Sequence, residues 1–243
     1  MKFNIITIFP KIFDSYFNES ILARARKKKL VEINIHDLRD YTDDKRKTVD
    51  DTPYGGGVGM VLKIEPIYKA LKKIVGNSEL KYFKKRIKNK ELKIENKKTK
   101  TKTKTKTKII LLSAKGKRFD QAMARKFSKL DKMVLICGRY EGVDERVVRN
   151  LADEEISVGD YILTGGEIPA MIIVDSVSRL IEGVVGNKES IKDESFSKKG
   201  YLEYPHYTRP EVFSPEKKTN WKVPDVLLSG NHKKIREWKK KMC

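Results

Sequence analysis

Met133-Val-Leu-Ile-Cys137, followed directly by Gly138-Arg-Tyr-Glu-Gly142 and Val-Asp-Glu-Arg146, carries the pattern from which the architecture can be built. Five apolar residues in a row are too few for a helix and suit a strand buried on both faces. The two glycines turn the chain, and Glu145 to Asn150 has the spacing of a short helix. The same unit repeats on either side. Upstream, Ile109 to Leu112 predicts a strand, Ser113-Ala-Lys-Gly116 a turn, and Gln121 to Phe127 a helix. Downstream, a short strand at Glu155 to Val158 leads through Gly159-Asp-Tyr-Ile-Leu-Thr-Gly-Gly166 into a long helix from Pro169 to about Glu182. Nearer the N-terminus, Lys2 to Phe9 is rich in β-branched and aromatic residues, stops at Pro10 and predicts a buried strand. Ile12 to Lys29 predicts a helix, Val31 to Ile35 a strand, 40 to 63 a polar loop, and Glu65 to Val75 a helix. Strands alternating with helices predict an α/β domain with a largely parallel sheet.

The length, 243 residues, allows one or two domains. The expected division is 1–186 for the α/β domain, 187–199 for a polar linker and 200–243 for a small tail domain ending in a basic helix from about His232 to Lys241. No apolar run approaches the roughly 20 residues of a membrane span. Met1 to Pro10 lacks a secretory core, so a cytosolic protein is expected. Cys137 and Cys243 are isolated, which excludes a disulfide scaffold and a Cys-rich zinc site, and three scattered His do not suggest a His-based metal centre.

Net charge is +21. Between Lys81 and Lys108, 14 Lys and Arg stand against two Glu, a local +12, which leaves +9 for the rest. A basic body is drawn to polyanions, nucleic acid above all. Residues 77 to 108 are expected to be an insert, because the strict Thr-Lys alternation of Thr99 to Lys108 gives a strand no face to bury. The insert is either a tolerated addition without a specific role or an arm that touches RNA phosphates.

Glycines gather where predicted strands end, which is where open α/β sheets bind ligands. Neither a phosphate loop nor a dinucleotide fingerprint is present. A nucleoside held by backbone groups remains open, as does the plainer view that these glycines only turn the chain. A further cluster, Pro53-Tyr-Gly-Gly-Gly-Val-Gly59, follows Asp44-Lys-Arg-Lys-Thr-Val-Asp-Asp51. Tyr54 and Met60 bracket its glycines with residues that ordinarily pack, which argues against a plain linker. Lys45, Arg46, Asp50, Tyr54, Gly55, Gly57 and Gly59 are therefore candidate RNA contacts. Farther on lie Lys192-Asp-Glu-Ser-Phe196 and Tyr204-Pro-His-Tyr-Thr-Arg-Pro210. Adjacent carboxylates act as general bases only where the fold carries them to a cleft.

Taken together, Asp44 to Met60, Cys137 to Arg146, Gly159 to Glu167 and Pro205 to Pro210, in this order, resemble the bacterial tRNA (guanine-37-N1)-methyltransferase family. The resemblance runs from Met1 to about Lys241 apart from the insert. It implies a SPOUT fold, with the C-terminal part of the α/β domain threaded into a trefoil knot and a small helical domain after it. It also implies a homodimer with active sites shared between chains, S-adenosylmethionine as methyl donor, and as substrate the tRNA guanosine 3′ to the anticodon, where methylation guards the reading frame. Mg2+ is left open as a second cofactor.

By matching position, the resemblance gives the donor three loops: Ser113 to Gly116; Gly138 to Gly142, with Gly138, Tyr140, Glu141 and Gly142; and Ser157 to Gly166, with Ser157, Val158, Gly159, Asp160, Tyr161, Ile162, Leu163, Gly165, Gly166 and, beyond it, Pro169. Backbone groups of Val158, Tyr161 and Leu163 are expected at the adenine edge, with Glu141 balancing the donor's cationic end. Arg179 and Glu194 fall where the family places its guanine chemistry. Glu194 stands in place of the family's Asp and Asp193 precedes it, so either carboxylate can be the base. Ser195, His206 and Arg209 join the candidate RNA contacts. The family's Ser-Pro-Gln-Gly is here Ser113-Ala-Lys-Gly116, a loop without its proline and with a charge near a cationic ligand. Two other functions stand beside the enzyme: a ribosomal RNA methyltransferase of the same fold, and an RNA-binding protein with impaired catalysis.

Overall fold

Phe3 and Ile5 point to one side of the first strand, β1 (Lys2–Thr7), and Ile6 to the other, and all three are buried. Alternation with both sides buried is the mark of a central strand in a sheet covered on each face. In the structure, a computed structural model, residues 1–77, 80, 106–186, 194–198, 200–217 and 219–243 are described. They divide into two compact units, Met1–Gly186 and Asn187–Cys243.

The first unit is built on a five-stranded sheet. Its strands are β1, β2 (Glu32–Asp37), β5 (Thr107–Arg118), β6 (Lys132–Cys137) and β7 (Glu154–Ser157), in the order β2-β1-β6-β5-β7, and every pairing is parallel. Between them lie helices α1 (Asp14–Phe17), α2 (Ser20–Lys27), α3 (Ile64–Val75), α4 (Gln121–Phe127), α5 (Glu145–Asn150) and α6 (Glu167–Ser178). One face packs Phe3, Ile5, Leu112, Met133 and Leu135 against α1, α2, α4 and α6. The other packs Ile6, Ile109, Leu111, Val134 and Ile136 against α3 and α5.

Several boundaries differ from the sequence expectation. The helix expected over Ile12 to Lys29 is broken into a 3-10 turn, Pro10–Phe13, followed by α1 and α2. The break is at Ser20, whose φ of 51° is left-handed, and Arg26 braces it by donating to the Phe17 carbonyl and the Asn18 side chain. Inside the loop expected over 40–63, β3 (Asp50–Asp51) and β4 (Val61–Leu62) form a short antiparallel pair. The insert expected through Lys108 stops sooner. Thr107 is buried in β5, and Lys108 lies over the Phe127 ring while pairing with Glu154, so these two residues have the buried face that the Thr-Lys alternation by itself lacked. Residues 78, 79 and 81–105 of the insert, and 187–193 and 199 of the expected linker, lie outside the described residues.

Strand β5 also continues past its expected end. Its pairing with β7 jumps from Leu112 to Lys117, so residues 113–116 leave the ladder and the chain rejoins β7 beside Ile156 and Ser157. The helix expected over Pro169 to Glu182 starts two residues earlier and ends at Ser178.

The second unit was expected to be helical. It holds an antiparallel pair, β8 (Val212–Glu216) and β9 (Thr219–Lys222), as well as helices α7 (Asp225–Leu228) and α8 (His232–Met242). Phe213 and Trp221 face each other across that pair with ring centroids 5.7 Å apart, an aromatic cross-strand contact that holds a short hairpin. Helix α8 is capped by Asn231, whose Oδ1 accepts from the amides of Lys233 and Lys234, and it contributes Trp238 to Tyr207 and Lys239 to the face of Tyr204. No helix among the described residues is long and apolar enough to cross a membrane.

Candidate active site

The three strands β5, β6 and β7 end side by side, and the loops that follow them enclose a cavity of about 320 Å³. All the expected donor-loop residues line it except Gly116 and Asp160, the latter exposed and 3.4 Å from Arg118. Arg139, inside the loop 138–142, lines it too, and the wall also includes residues that the sequence did not single out, among them Glu145, Val148 and Glu155. Their signal was obscured because each sits in a strand or helix whose pattern is explained by packing alone.

At two glycines the chain lies directly against other backbone. A methyl group on Gly116 would run into the backbone of Ile156, and one on Gly166 would stand 2.6 Å from the Cα of Cys137. Neither position has room for any side chain, so the chain passes backbone against backbone at both. Gly166 also donates its amide to the carbonyl of Gly138 at 2.9 Å, which ties the loop before α6 to the loop after β6.

A buried ion pair strengthens that tie. Glu167, 1% exposed, accepts from the Thr7 hydroxyl at 2.7 Å and from Arg139 Nε at 2.9 Å. Arg139 donates as well to the Thr164 carbonyl at 3.2 Å, and its guanidinium lies over the Phe9 ring. Cys137, beneath the same loops, is wholly buried; burial first, and the Glu167 charge second, push its thiol pKa well above the ordinary value. It is a packing residue, held neutral. Asp144 caps α5 through the Arg146 amide, and the Arg146 guanidinium lowers its pKa.

The glycine-rich loop over 53–59 reaches the same place. Glu141 donates its amide to the Met60 carbonyl at 3.1 Å, Leu62 donates to Gly142 at 3.0 Å, and Asp144 donates to Leu62 at 3.0 Å. Gly59 faces the Glu141 side chain so closely that a methyl group there would lie 2.7 Å from Cγ. Candidate residues from the two ends of the sequence reading thus meet at Gly59 and Glu141. Tyr54 does not pack as expected: it is fully exposed, because Gly55, Gly56 and Gly57 all have positive φ and carry the loop tip into solvent. Lys45 and Arg46 are exposed, and Asp50 is half-buried in β3.

Arg179 directly follows α6 in the first unit and is half-buried. Glu194, also half-buried, belongs to the second unit, and Asp193 lies outside the described residues. Near Glu194, Ser195 Oγ accepts from the Glu203 amide at 2.9 Å, and the Glu203 carboxylate is 3.0 Å from His206 Nε2. Arg209 is exposed and precedes a cis proline. Among the described residues no three His, Cys, Asp or Glu side chains converge as a metal-holding group.

A model of the family described as tRNA (Guanine-1)-methyltransferase TrmD matches residues 1–243. The chain is similar to a tRNA (guanine-N(1)-)-methyltransferase of Dictyoglomus turgidum, 48% identical over 241 residues, covering 99% of this chain and 84% of the relative. It is similar as well to proteins of that name from Clostridioides difficile, 45% identical over 240 residues, and Mycoplasmopsis synoviae, 46% over 241; each alignment covers 99% of this chain and 91% of the relative. With the family model matched from the first residue to the last and these relatives aligned along nearly its whole length, the chain belongs to the tRNA (guanine-1)-methyltransferase family.

Proposed function

We propose that this chain transfers a methyl group from S-adenosylmethionine to N1 of a tRNA guanine, the guanosine 3′ to the anticodon (position 37), in the cytoplasm. The observation that carries the proposal is the convergence of three strand-end loops on one cavity in a chain of this family. The alternatives, a ribosomal RNA enzyme and a catalytically impaired binder, have no comparable support among relatives named for tRNA guanine methylation.

The cavity suits the donor in size and charge. Its volume is within the range of small-ligand pockets, and its wall offers backbone N–H and C=O groups from the loops at 138–142 and 157–166. Glu141, Glu145 and Glu155 line it against Lys115, while Arg139 is neutralised by Glu167, so the lining favours a ligand with cationic groups. When bound, S-adenosylmethionine supplies a methyl group activated by its sulfonium.

The chain's own residues supply the rest. Guanine N1 carries a proton at neutral pH, and a carboxylate, Glu194 or Asp193, removes it so that the nitrogen lone pair can form the new bond. Charge that builds on O6 is stabilised by the Arg179 guanidinium. Loops 44–60 and 138–144, joined through Met60 and Leu62, hold the RNA beside the donor cavity, and the target base leaves its stack to enter.

Two features of the family are part of the same proposal. A trefoil knot is supported by the backbone crossings at Gly116 with Ile156 and at Gly166 with Cys137. A homodimer is supported by apolar side chains left exposed on and beside α6: Ile168, Ile172, Ile12 and Tyr16.

Single-turnover reactions with labelled S-adenosylmethionine and two unmodified transcripts, with guanosine or adenosine 3′ to the anticodon, test the proposal. Label on the guanosine transcript alone is expected. Label on neither, with tRNA still bound, would show a binder without catalysis.

A further inference from the structure

A charged carboxylate is rarely buried unless something specific holds it, and Glu167 is the only acidic residue that the described part of the chain buries completely. It sits at the first residue of α6, where the helix favours a carboxylate but does not require it to be buried. Ala170, Ile173, Val174 and Val177 supply the packing of that helix. Its contacts are instead directed at loops. Oε1 accepts a hydrogen bond from the hydroxyl of Thr7, at the end of β1, and Thr7 Oγ1 in turn accepts from the Phe9 amide at 2.9 Å. Oε2 takes Nε–H of Arg139, in the loop after β6. Arg139 passes the connection on to the Thr164 carbonyl, in the loop before α6. A central strand and two of the three cavity loops are therefore joined through one carboxylate.

Gly165 provides an independent sign that this pair is built in. A methyl group there would stand 2.6 Å from Glu167 Oε2 and collide with Arg139 Nε, so the glycine leaves space for the ion pair. Arg139 and Gly165 also form a backbone bridge, which brings the same two loops into register directly above the pair.

We propose that Glu167 is a positioning residue: through Arg139 it fixes the spacing between loops 138–142 and 161–166, and so sets the width of the cavity that takes the methyl donor. The inference rests on the assignment of that cavity to S-adenosylmethionine. In the apolar surroundings of Thr7 and Glu167 the pair is strongly held, and loss of one partner leaves the other as an uncompensated buried charge. The loops would then be free to spread, with no change in any residue of the RNA-binding loop 44–60.

The test is calorimetric titration of the full-length protein with S-adenosylmethionine, paired with steady-state kinetics in donor and in tRNA. The variants are Glu167→Gln, Arg139→Lys, the double variant and Thr7→Val. Glu167→Gln keeps shape but removes charge. Arg139→Lys keeps charge beside Glu167 but loses the fork that reaches Thr164. Each is expected to weaken donor binding by about tenfold or more, the scale on which misplaced binding groups act, and to raise KM for the donor equally while KM for tRNA rises much less, since loop 44–60 feels the change only through its bonds to 141–144. The double variant is expected to be no worse than the weaker single one, since both cut the same connection. Thr7→Val should show the same split with a smaller change.

Donor affinity unchanged in folded Glu167→Gln or Arg139→Lys would overturn the inference, as would losses that simply multiply in the double variant. A purely structural role would lower the melting temperature and leave the donor-against-tRNA split of KM unmoved, which also overturns it. If Glu167→Gln does not fold, Arg139→Lys and Thr7→Val decide on the same criteria. A folded wild-type protein without saturable donor binding would instead remove the assignment of the cavity, and the inference with it.

Discussion

The backbone amide of Glu141 donates to the carbonyl of Met60 across 3.1 Å, which makes the loop after β6 and the end of the glycine-rich loop a single piece of structure. One of these loops lines the cavity proposed for the donor and the other carries the candidate RNA contacts. A shift in either is felt by its partner, and this linkage governs the first expected outcome.

Gly59→Ala places a methyl group against Glu141 Cγ at a φ of +97°, a conformation that alanine resists. The substitution should slow single-turnover methyl transfer by about tenfold or more, because both reactants are held by the joined loops. Quenched-flow measurement at saturating donor and tRNA checks it, and an unchanged rate would mean that the two loops act separately.

Gly116→Ala forces a side chain into the backbone of Ile156. Overpacking at a rigid crossing should cost about 3 kcal/mol, the upper end for such changes, and lower the denaturant midpoint accordingly. A fall below about 1 kcal/mol would show that the crossing can open.

Arg179→Ala should reduce the rate of methyl transfer far more than donor affinity, since its assigned task is to stabilise charge on guanine O6. Glu194→Gln and Asp193→Asn, compared in the same single-turnover assay, identify the base. The variant that loses about a hundredfold or more has lost the proton acceptor, and equal modest losses would place the base elsewhere.

Deletion of residues 81–105 should lower tRNA affinity mainly at low salt, with a shallower dependence of log K on log salt, as expected when cations that neutralise phosphates are removed. This deletion spares Thr107 and Lys108, which belong to β5. Binding measured by filter retention at several salt concentrations decides. An identical slope would leave the segment as an addition without phosphate contacts.

His36 lies between Tyr41 and Asn4, 2.9 and 3.1 Å from them, and burial together with the nearby Lys73 lowers its pKa. The folded protein then binds that proton less readily than the unfolded chain. The contribution of His36 to stability should therefore be intact above the unfolded pKa of about 6.5 and should decline as pH falls through it. Thermal unfolding between pH 8 and 5 should show this acid limb, and His36→Asn should flatten it.

The order of strands and helices was legible along the chain because short unbroken apolar runs and helical spacing are written locally. The five apolar residues at Met133 to Cys137 predicted their strand to within one residue. The break at Ser20 was not legible, since nothing in Ile12 to Lys29 marks a left-handed residue; the bonds from Arg26 to Phe17 and Asn18 arise only when the segment folds. Tyr54 misled for the related reason that an aromatic ring ordinarily packs, while three successive glycines with positive φ carried this one outward.

The candidate site divides in the same way. Its loops could be found from glycines at predicted strand ends, and their residues named from the resemblance to a known family. The Thr7-Glu167-Arg139 connection could not, because it spans 160 residues of sequence and consists of side chains that look ordinary one by one. By itself the sequence determined the α/β alternation, the strand-end loops and the excess of positive charge, all of which depend on neighbours a few residues apart. Only the tertiary structure decided which loops meet, where backbone lies against backbone without room for a methyl group, and which charge is buried. Those outcomes depend on atoms brought together by packing, where close contact and the loss of water set the energies.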